Sequence, residues 1–228
     1  MKKRNKNATR VTVSTFGVIL GIAGVEHGIG EILQGNIAPS GIMIESWPNS
    51  DLYEILSGEP AVTIIPNILL TGVLAILMSL ILIIWAIKFI QTKHGGSGFI
   101  FLSFVFLLVG GGLAGPLLIG ITIGLAATRI NSQFKWWNDH VSVEIRRGLS
   151  KIWPYSYVAC VIGWFSLWPG VIILVYFSGF QNSLLVYISA LFSFTTLLLT
   201  IFSGFSFDSF NNVSKNKQIK SEGVVIHV

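Results

Sequence analysis

Three ionisable residues stand close together at the end of the first apolar segment of the chain: Glu26, His27 and Glu31. In a helix His27 and Glu31 lie one turn apart, so their side chains can pair or share a ligand. Glu26 projects near the opposite side of the helix and is not expected to join them. One interpretation is structural, with hydrogen bonds between helices satisfying Glu26 and His27. Another is a path for protons, cations or small solutes that uses a titrating Glu26 and His27.

A metal site is a third interpretation, because histidine and glutamate are both common zinc ligands. It would make the chain a membrane-embedded metal-dependent enzyme that uses His27 and Glu31, and it needs further ligands. The remaining histidines follow basic segments, and we expect them on the opposite membrane face from Glu31; they are His94, His140 and His227. The chain also lacks the G-x-x-x-x-G-K-[ST], H-E-x-x-H and G-x-S-x-G motifs. We therefore predict no metal and no cofactor, and favour a non-enzymatic protein with a structural or solute-path role over the enzyme.

The elements that position these residues are helices of a membrane protein. The chain of 228 residues is 52% hydrophobic and 11% charged, whereas soluble domains are about a quarter charged. Its continuous apolar segments reach the roughly 20 residues that a helix needs to cross the hydrocarbon core; they are 11–33, 61–90, 99–128, 155–177 and 184–206. We predict an all-α polytopic membrane bundle, formed by a single membrane domain over 11–206. A basic tail at 1–10 precedes it, and a polar tail at 207–228 is expected to be disordered.

The basic residues give the predicted orientation. Five Lys and Arg precede the first apolar segment, none falls between residues 11 and 87, and five lie in the connector 129–153. The loop 35–60 contains only acidic charges. By the positive-inside rule the N-terminus is cytoplasmic and this acidic loop is outside the cell membrane. The net charge is +5. We expect the basic residues to bind anionic lipid headgroups of the cytoplasmic leaflet rather than nucleic acid. A second copy or another membrane protein is a further expected partner.

The segment 99–128 decides where the C-terminus lies. Its centre is rich in residues that disfavour a helix; they are Gly110, Gly111, Gly112, Gly115 and Pro116. A break there leaves arms at 99–109 and 117–128, each about 16–18 Å long at the helical rise. We therefore predict a broken or re-entrant hairpin, a candidate gate, that returns to the cytoplasm. Four full spans plus this hairpin place all fifteen Lys and Arg and both termini there. The alternative is five simple spans with the C-terminal tail outside.

Two further patterns concern packing. Small residues recur at helical spacing along one side of the first helix, which predicts close approach of a neighbouring helix; they are Gly17, Gly21, Gly24 and Gly28. Because this stripe runs past Ala23, we expect a retained helix rather than a signal peptide cleaved there. The connector 129–153 repeats apolar residues at helical spacing, which predicts a basic amphipathic helix on the membrane surface. The alternative is a connector packed on the bundle.

Short signals predict two local features. Asp51 followed by Glu54, with Gly58 beyond them, predicts a short helix near 51–57 in the acidic loop. The Trp168-Pro169 pair predicts a kink in the segment 155–177.

Overall fold

The computed structural model describes residues 7–130, 134–179 and 182–224, with side chains described as far as residue 211. Residues 1–6 of the predicted basic tail and His227 lie outside the described residues. The fold is 76% helical, which confirms the all-α class. Among the described residues, four helices are long and apolar enough to cross a membrane; they are Ala8–Gln34, Ile68–Phe89, Val143–Ser178 and Ser183–Asn211.

The helices are numbered here in chain order. They are α1 (Ala8–Gln34), α2 (Ile68–Ile84), α3 (Gly95–Leu108), α4 (Ile121–Thr128), α5 (Lys135–His140), α6 (Val143–Phe165), α7 (Val171–Ser178) and α8 (Ser183–Val224). Wider π-helical turns extend α2, precede α4 and join α6 to α7; they are Trp85–Phe89, Gly115–Gly120 and Ser166–Gly170. Trp168 has non-helical φ and ψ of −146° and 119°, so the kink lies where the Trp-Pro pair predicts it.

The predicted glycine stripe of α1 lies mostly against α2, which runs antiparallel to it. A Cβ atom at Gly17 would lie 2.6 Å from the Ala86 side chain, and one at Gly28 would lie 2.7 Å from the Gly72 carbonyl oxygen. At Gly72 the reverse holds, because a Cβ there would lie 2.5 Å from the Gly28 carbonyl oxygen. The two backbones therefore touch where both helices have glycine, which fixes the C-terminal end of α1 against α2.

The segment 99–128 forms a hairpin of two antiparallel arms. The helices begin at Gly95 and at the turn that starts with Gly115, a few residues before the predicted arms. Gly96 lies beside Gly124, and Gly120 lies beside Ser103. Between the arms the backbone turns at Gly110 and Gly112, whose φ angles are 91° and 81°, a region that favours glycine.

The freed backbone groups of the hairpin tip bond to the acidic loop. That loop contains a short antiparallel pair, β1 (Met43–Glu45) and β2 (Pro60–Val62). The Gly110 N–H donates to the Val62 carbonyl at 2.9 Å, and the Leu113 N–H donates to the Pro60 carbonyl at 3.1 Å. The tip is therefore hydrogen-bonded to β2, which supplies protein partners for backbone groups that the broken helix leaves free.

The loop differs from its prediction in two respects. No strand is predicted there, whereas β1 and β2 close the loop at its base. The expected helix at 51–57 is instead a single 3₁₀ turn at Glu54–Leu56. The Gly58 N–H donates to the Tyr53 carbonyl. This local turn ends the helical segment early.

The end of α8 corrects the predicted tail boundary. The helix does not stop at residue 206 but continues to Val224, and Asp208 is 3% exposed. The Ala8 N–H donates to Asp208 Oδ1 at 2.7 Å, and the Thr9 N–H donates to Oδ2 at 2.9 Å. A carboxylate is favoured at a helix N-terminus, where backbone N–H groups lack partners. This contact holds the beginning of α1 and the later part of α8 at the same end of the bundle.

The connector also differs from a single surface helix. It is divided at Val141–Ser142 into α5 and the beginning of α6, because Ser142 caps the new helix by accepting from the Ile145 N–H. Trp137 is buried, and its ring stacks on Phe202 of α8 with centroids 5.2 Å apart. Trp137 therefore packs on the bundle, as in the alternative interpretation, whereas Ile145 on the same predicted apolar side is 57% exposed.

Candidate metal centre

The C-terminal end of α1, the acidic loop and the hairpin tip meet at one place. Glu26 and His27 come from α1, and Glu59 comes from the loop, directly before β2. The backbone turns Glu59 inward through three consecutive left-handed residues, with φ of 54° at Ser57, 67° at Gly58 and 54° at Glu59. This conformation is uncommon for residues other than glycine. The strand pair and the hairpin tip hold it in place.

Glu26, His27 and Glu59 form the group called here the acid–imidazole cluster. One ligand atom from each residue can be chosen such that all three lie within 4.8 Å of one another. His27 Nε2 is 3.2 Å from Glu59 Oε2, and the two side chains are only 13% and 9% exposed. The cluster is therefore a set of three metal-ligating groups withdrawn from solvent.

This grouping differs from the one predicted from the helix alone. Glu26 does project away from Glu31, but the acidic loop folds over it and brings Glu59, Tyr53 and Trp47 beside it. The rings of Trp47 and Tyr53 stack with centroids 4.8 Å apart and form an aromatic cover. The predicted partnership of His27 with Glu31 is replaced by a three-residue cluster in which Glu59 takes the place of Glu31.

Glu31 lies behind the cluster and acts on it through Ser46. The Ser46 hydroxyl donates to Glu31 Oε1 at 3.2 Å, and the same hydroxyl oxygen is 2.7 Å from His27 Nδ1. With the Nδ1 proton donated to Ser46, the lone pair of Nε2 points toward the carboxylates. Glu31 is fully buried. A Cβ at Gly110 would lie 2.5 Å from its Oε2, and one at Gly112 would lie 2.8 Å from His27 Nε2, so the hairpin tip covers both side chains.

Negative charge at this end has no basic counterpart in the sequence. Between residues 11 and 87 the chain contains six Asp and Glu but neither Lys nor Arg. The Glu26 carboxylate is buried and interacts with the side chains of Glu59, Tyr53 and Trp47, and Glu59 Oε2 is buried beside His27 Nε2. Burial, followed by the nearby Glu26 carboxylate, raises the pKa of Glu59 well above its ordinary value of 4.5. Without a bound cation, burial therefore favours the protonated form of the Glu59 carboxyl.

An apolar cavity of about 320 Å³ adjoins the cluster. It lies between α1, the hairpin tip, the kinked region of α6 and the beginning of α8. His27 and Glu59 are the ionisable residues among its described lining. Most of the wall is aliphatic or aromatic, including Leu20, Val186 and Phe194. The acid–imidazole cluster thus forms the polar end of an otherwise apolar cavity.

Sequence reasoning identified Glu26, His27 and Glu31 but missed Glu59 and Ser46. Glu59 is separated from His27 by 32 positions, and nothing in the local pattern indicates that the loop folds into the bundle. One usable signal was charge, because an acidic loop next to buried carboxylates with no basic residue nearby favours a shared cation. The Ser57-Gly58 pair marks a turn but not its direction.

Glu59→Gln tests the burial of this carboxyl in metal-free protein. Because its folded pKa is raised, the folded state holds more protons than the unfolded state above the ordinary carboxyl pKa, and stability falls as pH rises. We expect the wild type to lose up to about 1.4 kcal/mol per pH unit through this group, and Glu59→Gln to have a flatter profile. The measurement is chemical unfolding with a chelator between about pH 5 and pH 8. Glu45→Gln, an exposed residue of the same loop, is the control, and equal slopes in all three proteins would contradict the assignment.

Comparisons with known proteins give no relative. No family model matches the chain, and neither a curated protein nor a solved structure is similar to it. The function proposed next therefore rests on the residues and contacts described above.

Proposed function

We propose that this chain is a multi-pass membrane protein that binds a divalent transition-metal ion between Glu26, His27 and Glu59. The observation that carries the proposal is the convergence of one imidazole and two carboxylates, buried beside one another, in a region of sequence without Lys or Arg. Unpaired buried charge is costly unless it is paired or coordinates a metal. A bound dication supplies the charge that the cluster lacks.

The ligand chemistry favours zinc or a similar first-row ion. Imidazole nitrogen and carboxylate oxygen bind zinc at about 2.0–2.2 Å, so two ligands of a tetrahedral ion lie about 3.3 Å apart. The 3.2 Å separation of His27 Nε2 and Glu59 Oε2 fits that geometry. A set with two carboxylates also suits manganese or iron. Relative affinities for these ions in the binding experiment identify the preferred one.

Ser46 and Glu31 are the supporting residues of this site. A metal-binding histidine commonly donates its other ring N–H to an oxygen, which fixes the tautomer and orientation of the ring. The contact of His27 Nδ1 with Ser46 at 2.7 Å has this form, and Glu31 completes the chain of bonds. We therefore propose that Glu31 is not a ligand but a positioning residue, which orients His27 through Ser46.

The cavity favours a binding site over an ion path through the bundle. An ion that leaves the cluster needs further oxygen or nitrogen ligands along its route. The described cavity lining beyond His27 and Glu59 carries no other carboxylate, imidazole, amide or hydroxyl side chain. We therefore favour an ion that stays at the outer end of the molecule.

A metal-dependent hydrolase is the second candidate function. Three protein ligands leave a fourth position for water, which is the arrangement of catalytic rather than structural zinc sites. The open cavity next to that position favours this candidate. The sequence suggested a metal-dependent enzyme that uses His27 and Glu31 as ligands. In this second candidate the ligands are His27, Glu26 and Glu59.

The arrangement in the membrane that we propose is four crossing helices with a hairpin that enters from the cytoplasm. The contacts of Asp208 with Ala8 and Thr9 support it, because they put the beginning of α1 and the later part of α8 at one end. The Ser14 hydroxyl bonds to the Ala86 carbonyl, which brings the basic end of α2 to the same level. Arg146 reaches Ser209 and brings the connector there too. Five single spans would separate these groups.

On this arrangement the basic residues face the anionic cytoplasmic leaflet of the cell membrane, and the acid–imidazole cluster faces outward. The binding site is then loaded from outside the cell. Lipid headgroups remain the proposed partners of the basic end, and association with a second copy or another membrane protein remains a proposal.

Zinc binding by the purified protein in detergent tests the proposed function. We expect one ion per chain in a competition titration with a chromophoric chelator. Glu26→Gln, His27→Gln and Glu59→Gln each remove a ligand and should weaken binding at least about a hundredfold, while Ser46→Ala should cost about ten- to a hundredfold. Glu45→Gln should bind as the wild type does. Binding should also release protons and strengthen as pH rises, because the ligands must be deprotonated. Absence of zinc binding, or equal affinity in Glu59→Gln, would overturn the proposal.

Cysteine labelling tests the arrangement in the membrane. In a Cys160→Ala background, Ser142→Cys places a thiol in the connector and Asp51→Cys places one in the acidic loop. An impermeant thiol reagent applied to intact cells should label the loop position alone, and permeabilised cells should be labelled at both. Labelling of Ser142→Cys from outside would favour five spans over the hairpin.

A further inference from the structure

We propose that the apolar cavity binds the hydrocarbon chain of a single-chain amphiphile, whose oxygen-bearing head group lies at the metal ion of the acid–imidazole cluster. The inference rests on the proposed function and names the ligand class of the same site. It follows from the shape of the cavity, the chemistry of its wall and two buried indole N–H groups that line it.

The wall is suited to hydrocarbon along its length. On α1 the cavity extends from His27 to Ile19, eight residues or about 12 Å at the helical rise. The opposite wall is formed by Val186, Ala190 and Phe194 of α8. A cavity with such a lining is poor in partners for water and favours an apolar occupant.

The volume favours one chain over two. About 320 Å³ is near the lower end of small-molecule sites. A methylene group fills about the same space as a water molecule, about 30 Å³, so there is room for about ten such groups. A fatty acid or another single-chain lipid fits this volume, whereas the two chains of a phospholipid do not.

The polar end offers hydrogen-bond donors as well as metal ligands. The indole nitrogens of Trp164 and Trp168 are buried, and they interact with side chains alone, Trp164 with Cys160 and Trp168 with Glu59. Both residues line the cavity, and Trp168 lies beside Glu59. When a metal ion binds the Glu59 carboxylate, the Trp168 indole N–H needs another acceptor, because buried N–H groups normally have one. A carboxylate, hydroxamate or carbonyl head group supplies oxygen atoms to these donors and to the ion together.

A neighbouring groove gives a route for the chain. A second depression of about 520 Å³ lies between α1 and α6 and shares Ile19 with the cavity. Its rim includes Val158 and Ile162, which are 54% and 57% exposed on the outer face of α6. On the proposed arrangement that face contacts lipid, so an amphiphile can enter sideways from the bilayer.

Binding of lauroyl hydroxamate, a single-chain ligand with a zinc-binding head, tests the inference by native mass spectrometry of the zinc-loaded protein. We expect one ligand per chain in the wild type. Ala190→Phe fills the cavity and should reduce binding at least about tenfold while zinc binding is unchanged; Val186→Phe, one turn away, is a second filling variant. Leu191→Phe is the matched control, because Leu191 is 70% exposed on the same helix, and it should bind both zinc and hydroxamate.

The outcomes separate the two proposals. Zinc binding without hydroxamate binding, or hydroxamate binding unchanged in both filling variants, would overturn the amphiphile inference and leave the metal proposal standing. Loss of hydroxamate in the control Leu191→Phe as well as in the filling variants would also overturn it, because the effect would not depend on the cavity. Failure of the wild type to bind zinc would overturn the proposed function and the inference with it.

Discussion

Two carboxylates and one imidazole are held together in a buried cluster, in a stretch of sequence, residues 11–87, that contains neither Lys nor Arg. Glu26, His27 and Glu59 are brought within ligand distance, although like charges at such separation repel strongly in a medium of low polarity. Protonation relieves this repulsion, and the dication that we propose at this site would remove it. The position of the loop, the turn of the hairpin and the glycine contacts of α1 all serve to keep this arrangement closed.

The closure depends on backbone contacts rather than on bulky side chains. Gly28 and Gly72 allow α1 and α2 to touch, so the outer end of α1 has little freedom to move away from the loop. Gly110 and Gly112 allow the hairpin tip to lie directly on Glu31 and His27. The bonds from the tip to Pro60 and Val62 then hold the strand that follows Glu59. A side chain at any of these glycines would displace the groups around the cluster.

The local features of the fold followed from local physics. Continuous apolar runs predicted the long helices, and glycine with proline at Gly110–Pro116 predicted the break, because both effects depend on neighbours in sequence. Glu26, His27 and Glu31 were conspicuous because charge inside an apolar helix is costly. Glu59 was not, since its place depends on left-handed residues and on strand contacts between distant segments. The same limit explains the tail boundary, because Asp208 continues the bundle through contacts with the opposite end of the chain.

The coordination of the bound ion is the most direct test of the central claim. X-ray absorption at the zinc edge reports the type and distance of each ligand in the loaded protein. The account predicts one imidazole nitrogen with carboxylate oxygens at about 2.0–2.2 Å, loss of the imidazole signal in His27→Gln, and an otherwise preserved oxygen shell. An unchanged spectrum in His27→Gln, or a shell of water oxygens alone, would contradict it.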